Sequence, residues 1–270
     1  MVQGLFTNQE VFMMNEIRWG SIGCGDVMEV KSGPALQNAQ HSALHAVMRR
    51  DADLAKDYAE RHHIPKWYSQ AEDLVNDADV NAIYIATPPD THLQYTRMAA
   101  LAGKPVYVEK PMAMNHAQCL EMVRICEQLN TPLFVAYYRR ALPRFLRVKE
   151  IIESGELGQI TQVEVQLRQT AKDMDISGEL NWRVNPEIAG CGYFCDLASH
   201  IFDLLQYLLG DISNASGIIA NTGNYYTAED FVEAEFEFTT GIKGSGLWNF
   251  NDDRNIDKTI IRGTQGDISY

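Results

Sequence analysis

The sequence has no hydrophobic run approaching the roughly 18 uncharged apolar residues needed to span a bilayer. It also has no internal repeat and no low-complexity tract. Its 46% hydrophobic and 22% charged residues are ordinary globular usage, which excludes collagen-like, coiled-coil and wholly disordered chains. We therefore predict a soluble protein whose 270 residues form one large domain or two ordinary ones.

Positive charge is scarce, because 23 Lys and Arg residues face 36 Asp and Glu residues and the formal net charge is −13. A surface this negative repels nucleic-acid phosphates and anionic lipid headgroups. We expect neither a nucleic-acid partner nor a membrane partner.

Cysteine is sparse too, with five residues in a chain long enough to fold without disulfides. The odd number points to a reducing compartment, which we take to be the cytoplasm. Cys191 and Cys195 could begin a metal site, but no second pair with zinc-ligand spacing follows, so we expect no metal. Residues 1–15 lack the features of a secretory signal, and we treat them as an N-terminal extension.

Short apolar strands alternate with helical segments in residues 16–140. The predicted strands are 17–22, 43–48, 81–86, 105–108 and 133–136, and the predicted helices are 26–38, 53–62, 91–102 and 115–128. This alternation is typical of a parallel sheet covered on both faces. We predict an α/β dinucleotide-binding domain with a doubly wound Rossmann sheet.

The pattern changes in residues 141–270. Segments 160–167 and 232–238 alternate apolar and polar residues with period two, and a turn at 239–241 leads into a returning strand at 242–249. Helices are predicted at 143–154 and 194–209. We predict an α+β domain with an open, mostly antiparallel sheet. The last residues indicate another hairpin, and we expect the chain to be incomplete at its C-terminus.

Two glycines, Gly23 and Gly25, lie where the first strand meets the following helix. Glycines there permit a tight turn and the close approach of a pyrophosphate to the helix N-terminus. Asp26 and Val27 continue this loop, and Met28 replaces the third glycine of the usual fingerprint. The segment predicts a dinucleotide site.

Arg49 and Arg50 follow the second strand, at the place where an acidic residue normally binds the ribose hydroxyls of NAD. Two guanidinium groups can pair with a 2′-phosphate, so we predict a preference for NADP. Alternatively, one arginine stacks on the adenine and the other is solvated, and Asp51 leaves room for NAD.

Four motifs come in a characteristic order. They are the glycine turn, Ala86-Thr87-Pro88-Pro89 with His92, Glu109-Lys110-Pro111, and the segment from Gly190 to His200 that contains Asp196. Together they resemble the ordered motifs of the Gfo/Idh/MocA oxidoreductases, named for glucose–fructose oxidoreductase and inositol dehydrogenase. The resemblance extends over nearly all of Ile17 to Tyr270.

The resemblance implies a nicotinamide cofactor and a sugar, polyol or cyclic diol substrate. It makes Lys110 the catalytic or substrate-polarising lysine and places Asp196 and His200 on the Asp-x-x-x-His pair of the family. The predicted cofactor contacts are Gly23, Gly25, Asp26, Val27, Arg49, Arg50, Thr87, Pro88, Pro89, His92, Glu109 and Lys110.

Hydride transfer at an alcohol carbon needs one group that moves the hydroxyl proton and another that stabilises charge on the oxygen. Asp196 and His200 are four residues apart on the predicted helix and share a face, and histidine ordinarily titrates near neutral pH. We favour His200 as acid/base with Lys110 bonding the reacting oxygen, and the reverse assignment stays open.

Several aromatic and basic side chains could contact the substrate. Tyr138 and Arg139 follow the last Rossmann strand, and Trp182 and Arg183 precede the glycine-rich segment; these four are the predicted substrate contacts. Tyr138 and Arg139, like their neighbours Tyr137 and Arg140, could equally pack at the domain junction. Asp203 lies one helical turn beyond His200.

We therefore predict an NADP-preferring oxidoreductase that forms a homodimer or homotetramer through its open sheet. One alternative is a glycoside hydrolase that retains its NAD and cleaves by transient oxidation. Another is a regulatory relative that binds the cofactor without catalysis.

Overall fold

The computed structural model describes residues 16–179 and 181–270. The extension expected at residues 1–15 lies outside the described residues. The described chain divides into two compact units. The first contains the residues up to Met112 together with His116–Ala136, and the second contains Ala113–Asn115 and Tyr137–Tyr270.

The first unit is built on a six-stranded parallel sheet. Its strands are β1 (Ile17–Ile22), β2 (Ser42–Met48), β3 (Lys66–Tyr68), β4 (Ala82–Ile85), β5 (Val106–Val108) and β6 (Leu133–Val135). Their spatial order is β3-β2-β1-β4-β5-β6. The chain adds β2 and β3 on one side of β1 and then β4, β5 and β6 on the other, so the strand order reverses between the parallel neighbours β1 and β4. The predicted doubly wound sheet is confirmed, and ligands of such sheets bind beyond the carboxyl ends of the strands at this reversal.

Helices cover this sheet. They are α1 (Gly33–Asn38), α2 (Ala52–Arg61), α3 (Ala71–Val75), α4 (His92–Leu101) and α5 (His116–Gln128). The segment predicted as a helix, 26–38, is helical throughout, and it contains a π-helical turn, Met28–Ser32, that leads directly into α1. The Met28 carbonyl accepts both the Gly33 amide and the Tyr58 hydroxyl, so the chain is wider here than a regular α-helix.

The second unit contains a second six-stranded sheet. Its strands are β7 (Ile160–Arg168), β8 (Ile212–Ala220), β9 (Phe231–Phe238), β10 (Lys243–Asn249), β11 (Ile256–Gly263) and β12 (Asp267–Ser269), in the order β12-β11-β7-β10-β9-β8. Only the β7–β10 pair among these neighbours is parallel. The predicted mostly antiparallel sheet is confirmed.

The alternating residues of this sheet form one face of a core. Val163 and Val165 on β7 and Phe236 on β9 are buried, together with Trp248 on β10. The helices of the unit are α6 (Pro143–Ser154), α7 (Asp173–Ile176), α8 (Pro186–Ala189) and α9 (Tyr193–Leu209). The buried leucines of α9 pack into this core, which fixes the orientation of the helix. No helix within the described ranges combines the length and the apolarity needed to cross a membrane.

Candidate functional site

The glycine turn after β1 is shaped for a close approach. Gly23 has φ +95°, and a Cβ atom there would lie 2.8 Å from the Ala86 carbonyl oxygen and 3.1 Å from Thr87 Cγ2. A Cβ on Gly25 would meet nothing within 4 Å, so space is open beside its backbone. The open backbone at the start of a helix suits a pyrophosphate, and the exposed Asp26 and half-buried Val27 are the first residues of that helix.

Met28 occupies the third-glycine position without disturbing this turn. Its side chain is fully buried and packs in the cluster that contains Cys24, Val47 and Tyr84. The departure from the usual fingerprint therefore enlarges the core and leaves the open side of Gly25 unchanged.

The end of β2 brings positive charge to the glycine turn. Burial raises the pKa of the Cys24 thiol to about 11, and the nearby charge of Arg49 acts in the opposite direction. Arg50 is exposed. The Asp51 carboxylate accepts a hydrogen bond from the Leu54 amide at 3.1 Å and caps α2. Asp51 is therefore engaged by its own helix, whereas Arg49 lies beside the turn.

Glu109, at the end of β5, is held by groups of its own unit. The Tyr84 hydroxyl on β4 contacts Glu109 Oε1 and lies 2.6 Å from Ser32 Oγ. Because a phenol has one proton, Tyr84 donates to the carboxylate and accepts from Ser32. The Lys110 amide donates to Glu109 Oε2 at 3.2 Å. Glu109, the residue before Lys110, is therefore fixed to the neighbouring strand β4 through Tyr84. The peptide bond from Lys110 to Pro111 is cis.

His92 connects the two motif segments that follow β4 and β5. Its Nε2 lies 2.8 Å from the Thr87 carbonyl oxygen, and its Nδ1 lies 3.1 Å from the carbonyl oxygens of Pro111 and Met112. The side chain is fully buried, and burial lowers its pKa. Because both ring nitrogens lie within hydrogen-bond distance of main-chain carbonyl oxygens, the imidazole ties the two segments together, and its contact with a cofactor stays a prediction.

The other residues of the first motif surround this junction. Thr91 Oγ1 lies 2.8 Å from Thr87 Oγ1 and 3.0 Å from the Pro88 carbonyl oxygen, which folds the segment into a short 3₁₀ turn, Pro89–Thr91. Thr87 and Pro88 are half-buried, whereas Pro89 is buried. Thr87 and Pro88 are therefore the better placed for a ligand, and Thr87 is also next to Gly23.

In the second unit, Asp196 and His200 both lie on α9, one turn apart, as predicted. Arg183 Nε is 3.6 Å from Asp196 Oδ2, and its guanidinium stacks on the Trp182 ring with 4.5 Å to the centroid. Three of the predicted site residues, Trp182, Arg183 and Asp196, therefore form one contact group.

His200 lies against aromatic side chains. The rings of Tyr137 and Tyr138 meet its imidazole edge-on, with centroids 5.9 and 5.1 Å away. His200 is nearly buried, whereas Tyr138 is 49% exposed and so accessible to a ligand. Arg139 is half-buried. Burial raises the pKa of Tyr270 to about 12, and the positive charge of Arg139 acts in the opposite direction.

Arg140 and Asp203 form a separate pair. Arg140 Nε lies 2.9 and 3.1 Å from the two Asp203 oxygens, and the carboxylate raises the pKa of Arg140. The guanidinium also lies over the Tyr207 ring, 5.2 Å from its centroid. This arrangement gives Arg140 a packing role and engages both oxygens of Asp203.

One buried network beside this site was not predicted. The Tyr193 hydroxyl lies 2.7 Å from both Asp175 Oδ2 and Asn181 Nδ2, and Lys172 Nζ lies 3.7 Å from the Tyr193 ring centroid. Asn181 also accepts from the Arg183 amide at 3.2 Å. The network positions the start of α9 and the loop that carries Arg183. Its members lie within residues 172–193 but at spacings that form no recognised motif, although the place of Tyr193 in the glycine-rich motif was a signal.

A Rossmann sheet with an open glycine turn, followed by a unit with an Asp-x-x-x-His helix, defines a nicotinamide-dependent oxidoreductase of two units. A family model described as "Oxidoreductase family, NAD-binding Rossmann fold" matches residues 17–137, and the GFO/IDH/MocA C-terminal domain model matches residues 145–269. The chain belongs to the Gfo/Idh/MocA family and is an NAD-binding oxidoreductase.

Relatives agree with this assignment. Oxidoreductase P35 of Formosa agariphila is 42% identical over 259 residues, which are 96% of this chain and 80% of that protein. Levoglucosan dehydrogenase of Pseudarthrobacter phenanthrenivorans is 29% identical over 174 residues, 64% of this chain and 44% of that protein. The chain thus spans less than half of this second relative.

Solved structures have the same fold. The WlbA dehydrogenase from Bordetella pertussis, in complex with NADH and UDP-GlcNAcA, has a TM-score of 0.85 and 26% identity, covering 94% of this chain and 77% of its own. A levoglucosan dehydrogenase complex with NADH and levoglucosan has a TM-score of 0.84 and 25% identity, covering 94% and 73%.

Proposed function

We propose that the protein transfers hydride between a nicotinamide cofactor, NADP in preference to NAD, and an alcohol or carbonyl carbon of a sugar, polyol or cyclic diol. The observation that carries this proposal is the fixed Glu109-Lys110 segment beyond β5, tied to β4 by Tyr84 and to Thr87 through His92. An amine at the carboxyl end of a central Rossmann strand is placed where ligands of such sheets bind.

The residues present fit a dinucleotide. Gly23 and Gly25 would receive the pyrophosphate, because the Gly25 backbone has open space beside it. Arg49, Thr87 and Pro88 would line the remainder, with Arg50, Asp26 and Val27 at the rim and Glu109 and Lys110 near the reactive end. When bound, the nicotinamide supplies the hydride acceptor or donor.

The chain supplies the proton chemistry. We assign His200 as the acid/base that moves the hydroxyl proton and Lys110 as the donor that stabilises charge on the reacting oxygen. Asp196 is the third member of this catalytic set. Tyr138, Arg139, Trp182 and Arg183 are the proposed substrate contacts, because Tyr138 is exposed beside His200 and Arg183 pairs with Asp196.

The NADP preference is supported by charge at the end of β2. Arg49 lies beside the glycine turn and Arg50 is exposed, whereas the nearby carboxylate, Asp51, caps α2. A 2′-phosphate at this end of β2 would therefore meet guanidinium groups.

The substrate class is supported by the relatives. Levoglucosan dehydrogenase and the mouse protein named trans-1,2-dihydrobenzene-1,2-diol dehydrogenase are both similar to this chain, the latter at 27% identity over 93% of it. The names of these two relatives indicate a sugar derivative and a cyclic diol as substrates.

Fluorescence titration of the cofactor-stripped protein with NADPH and NADH tests the proposal, followed by a turnover screen of sugars and diols. We expect NADPH to bind at least tenfold more tightly, about 1.4 kcal/mol, and NADP⁺ to be reduced. Equal or NADH-favoured binding would overturn the NADP preference. Cofactor retained through purification, with glycoside cleavage and no net nicotinamide turnover, would overturn the dehydrogenase assignment in favour of a hydrolase.

We also propose a homodimer or homotetramer in the cytoplasm. Strand β8 is exposed along almost its whole length, including Ile218 at 60% and Ile219 at 71%, and an apolar edge of this kind is normally covered. Light scattering of the purified protein measures the oligomer size, and a monomer would overturn this assignment.

A further inference from the structure

The N-terminus of α9 carries two cysteines that are bonded to each other. Cys191 precedes Gly192, the residue before the helix, and Cys195 is the third helical residue. Their Cα atoms are 6.0 Å apart, and the structure joins them as a disulfide. Both residues are partly exposed, whereas Cys24 and Cys126 are buried and burial raises the pKa of each. The bonded pair is therefore accessible to small reagents.

A carboxylate completes this cluster. Glu229 Oε1 accepts the Gly192 amide at 2.8 Å, and one carboxylate oxygen and the two cysteine sulfurs all lie within 4.8 Å of one another. A negative charge this close opposes thiolate formation, whereas the helix N-terminus favours a thiolate at Cys195. The two sulfurs are therefore in different electrostatic environments.

We propose that Cys191 and Cys195 are a reversible redox modification site, opened by a small dithiol and closed by a disulfide such as oxidised glutathione. The function of a redox pair is separate from the hydride transfer proposed above and does not depend on it. Neither cysteine was assigned a role in that reaction.

The opening step follows from the positions of the two sulfurs. A thiolate of the dithiol attacks Cys191 Sγ, and the Cys191–Cys195 bond breaks with its electron pair on Cys195, where the helix N-terminus stabilises the leaving thiolate. The second thiol of the reagent then displaces Cys191 and forms the reagent's own disulfide. The protein gains two electrons and two protons as two thiols, and the dithiol is oxidised by the same amount.

The site adjoins the residues assigned to the reaction. Cys195 directly precedes Asp196, and the disulfide closes a ring around the first turn of α9. Opening the ring removes a covalent constraint from this turn, so we expect its amides to exchange faster in the dithiol state while amides of β11 keep their protection.

Thiol counting on the folded, full-length protein tests the proposal. The protein is alkylated with iodoacetamide, before and after treatment with dithiothreitol, and weighed by intact mass spectrometry. We expect two additional adducts after treatment, mapped by peptide analysis to Cys191 and Cys195, and no additional adducts when the reduced protein is treated with oxidised glutathione before alkylation. An unchanged adduct count after dithiothreitol would overturn the proposal, as would two additional adducts that persist after the glutathione treatment.

Variants separate this pair from the other thiols. Cys191→Ser and Cys195→Ser should each abolish the two-adduct step, whereas Cys119→Ser, on α5, should retain it. A step that survives in Cys191→Ser would overturn the assignment. Two thiols that resist alkylation until a chelator removes stoichiometric zinc would overturn it in favour of a metal site made with Glu229.

Glu229→Gln tests the electrostatic part. Glutamine keeps an oxygen that can accept the Gly192 amide and removes the charge that opposes a thiolate. We expect the equilibrium with dithiothreitol to shift at least threefold toward the dithiol. A shift toward the disulfide would contradict the role given to the carboxylate.

Discussion

The Tyr84 hydroxyl on β4 is hydrogen-bonded to the Glu109 carboxylate, which follows the neighbouring strand β5 and immediately precedes Lys110. Strand β4 is at the centre of the sheet, β5 lies between it and the edge strand β6, and Tyr84 is fully buried. Burial and the adjacent carboxylate raise the pKa of Tyr84, so the phenol stays protonated and remains a donor to Glu109. A buried core residue thereby fixes the backbone from which the proposed catalytic lysine extends.

Replacing Tyr84 by Phe should therefore reduce both stability and turnover. A hydrogen bond from a buried donor to a charged group is worth about 2 kcal/mol, and we expect that loss in urea unfolding, with kcat lowered about tenfold. Tyr107→Phe is the matched control, because Tyr107 stacks on Tyr84 from the neighbouring strand with ring centroids 5.4 Å apart. Equal effects of the two changes would show that loss of any phenol hydroxyl at this place, and not the bond to Glu109 in particular, is responsible.

Replacing Lys110 by Ala should lower turnover at least a hundredfold, about 2.7 kcal/mol in the barrier, because the donor to the reacting oxygen is lost. NADPH affinity should stay within threefold, since the glycine turn is unchanged. Steady-state kinetics and fluorescence titration measure the two quantities. Lys56→Ala, an exposed change on α2, is the control. Turnover equal to that of the unmodified protein would remove Lys110 from the mechanism.

Arg49→Ala should weaken NADPH binding at least tenfold and change NADH binding less than threefold, since only the 2′-phosphate distinguishes the two cofactors. Titration with both nucleotides measures the difference. Arg97→Ala on α4, where Arg97 contacts Glu121, provides a control for loss of one positive charge. A parallel loss of affinity for both nucleotides would contradict recognition of the 2′-phosphate by Arg49.

Acid stability should depend on Glu29 in the π-helical turn after the glycines. Its hydrogen bond with Arg61 lowers the pKa of Glu29 to about 2 from an ordinary 4.5. Because the folded-state pKa is depressed, the contribution is complete above pH 4.5 and disappears as the pH falls toward 2. Partial exposure of both partners limits it to about 1 kcal/mol.

Urea unfolding isolates this contribution when the native protein and Glu29→Gln are compared at pH values above and below 4.5, the ordinary pKa of the carboxyl group. We expect the difference in unfolding free energy to narrow as the pH falls. A difference that is independent of pH would mean that Glu29 contributes by packing and not by its charge.

The order of the long elements was predictable from sequence because their apolar residues recur at the period of a strand or a helix. The strand β3 and the helix α3 were missed, since three and five residues are too few for a period to show. The strand β8 was missed for another reason: with nearly all of its residues exposed, it has no buried face to produce alternation.

The site was predictable only where neighbours in sequence remain neighbours in space. Lys110 follows Glu109, and Asp196 and His200 are one helical turn apart. The role of His92 could not be deduced in this way, because its partners are main-chain carbonyls up to 20 residues away. By contrast, the cap formed by Asp51 on α2 was within reach of sequence rules, since aspartate is a preferred capping residue.

The two aspartates of α9 should respond differently to the same substitution. Asp203 makes a two-oxygen contact with Arg140 and its side chain is only 6% exposed, so Asp203→Asn should cost about 3 kcal/mol of stability. Asp196 is more exposed and its contact with Arg183 is longer, at 3.6 Å, so Asp196→Asn should cost less than 1 kcal/mol. Asp196→Asn should instead lower kcat at least tenfold, because a carboxylate beside the proposed acid/base is lost.

Urea unfolding and steady-state kinetics on both variants measure the contrast. We expect Asp203→Asn to be unstable but catalytically unimpaired, and Asp196→Asn to be stable but slow. The reverse pattern would contradict the assignment of Asp196 and would make Asp203 the catalytic carboxylate.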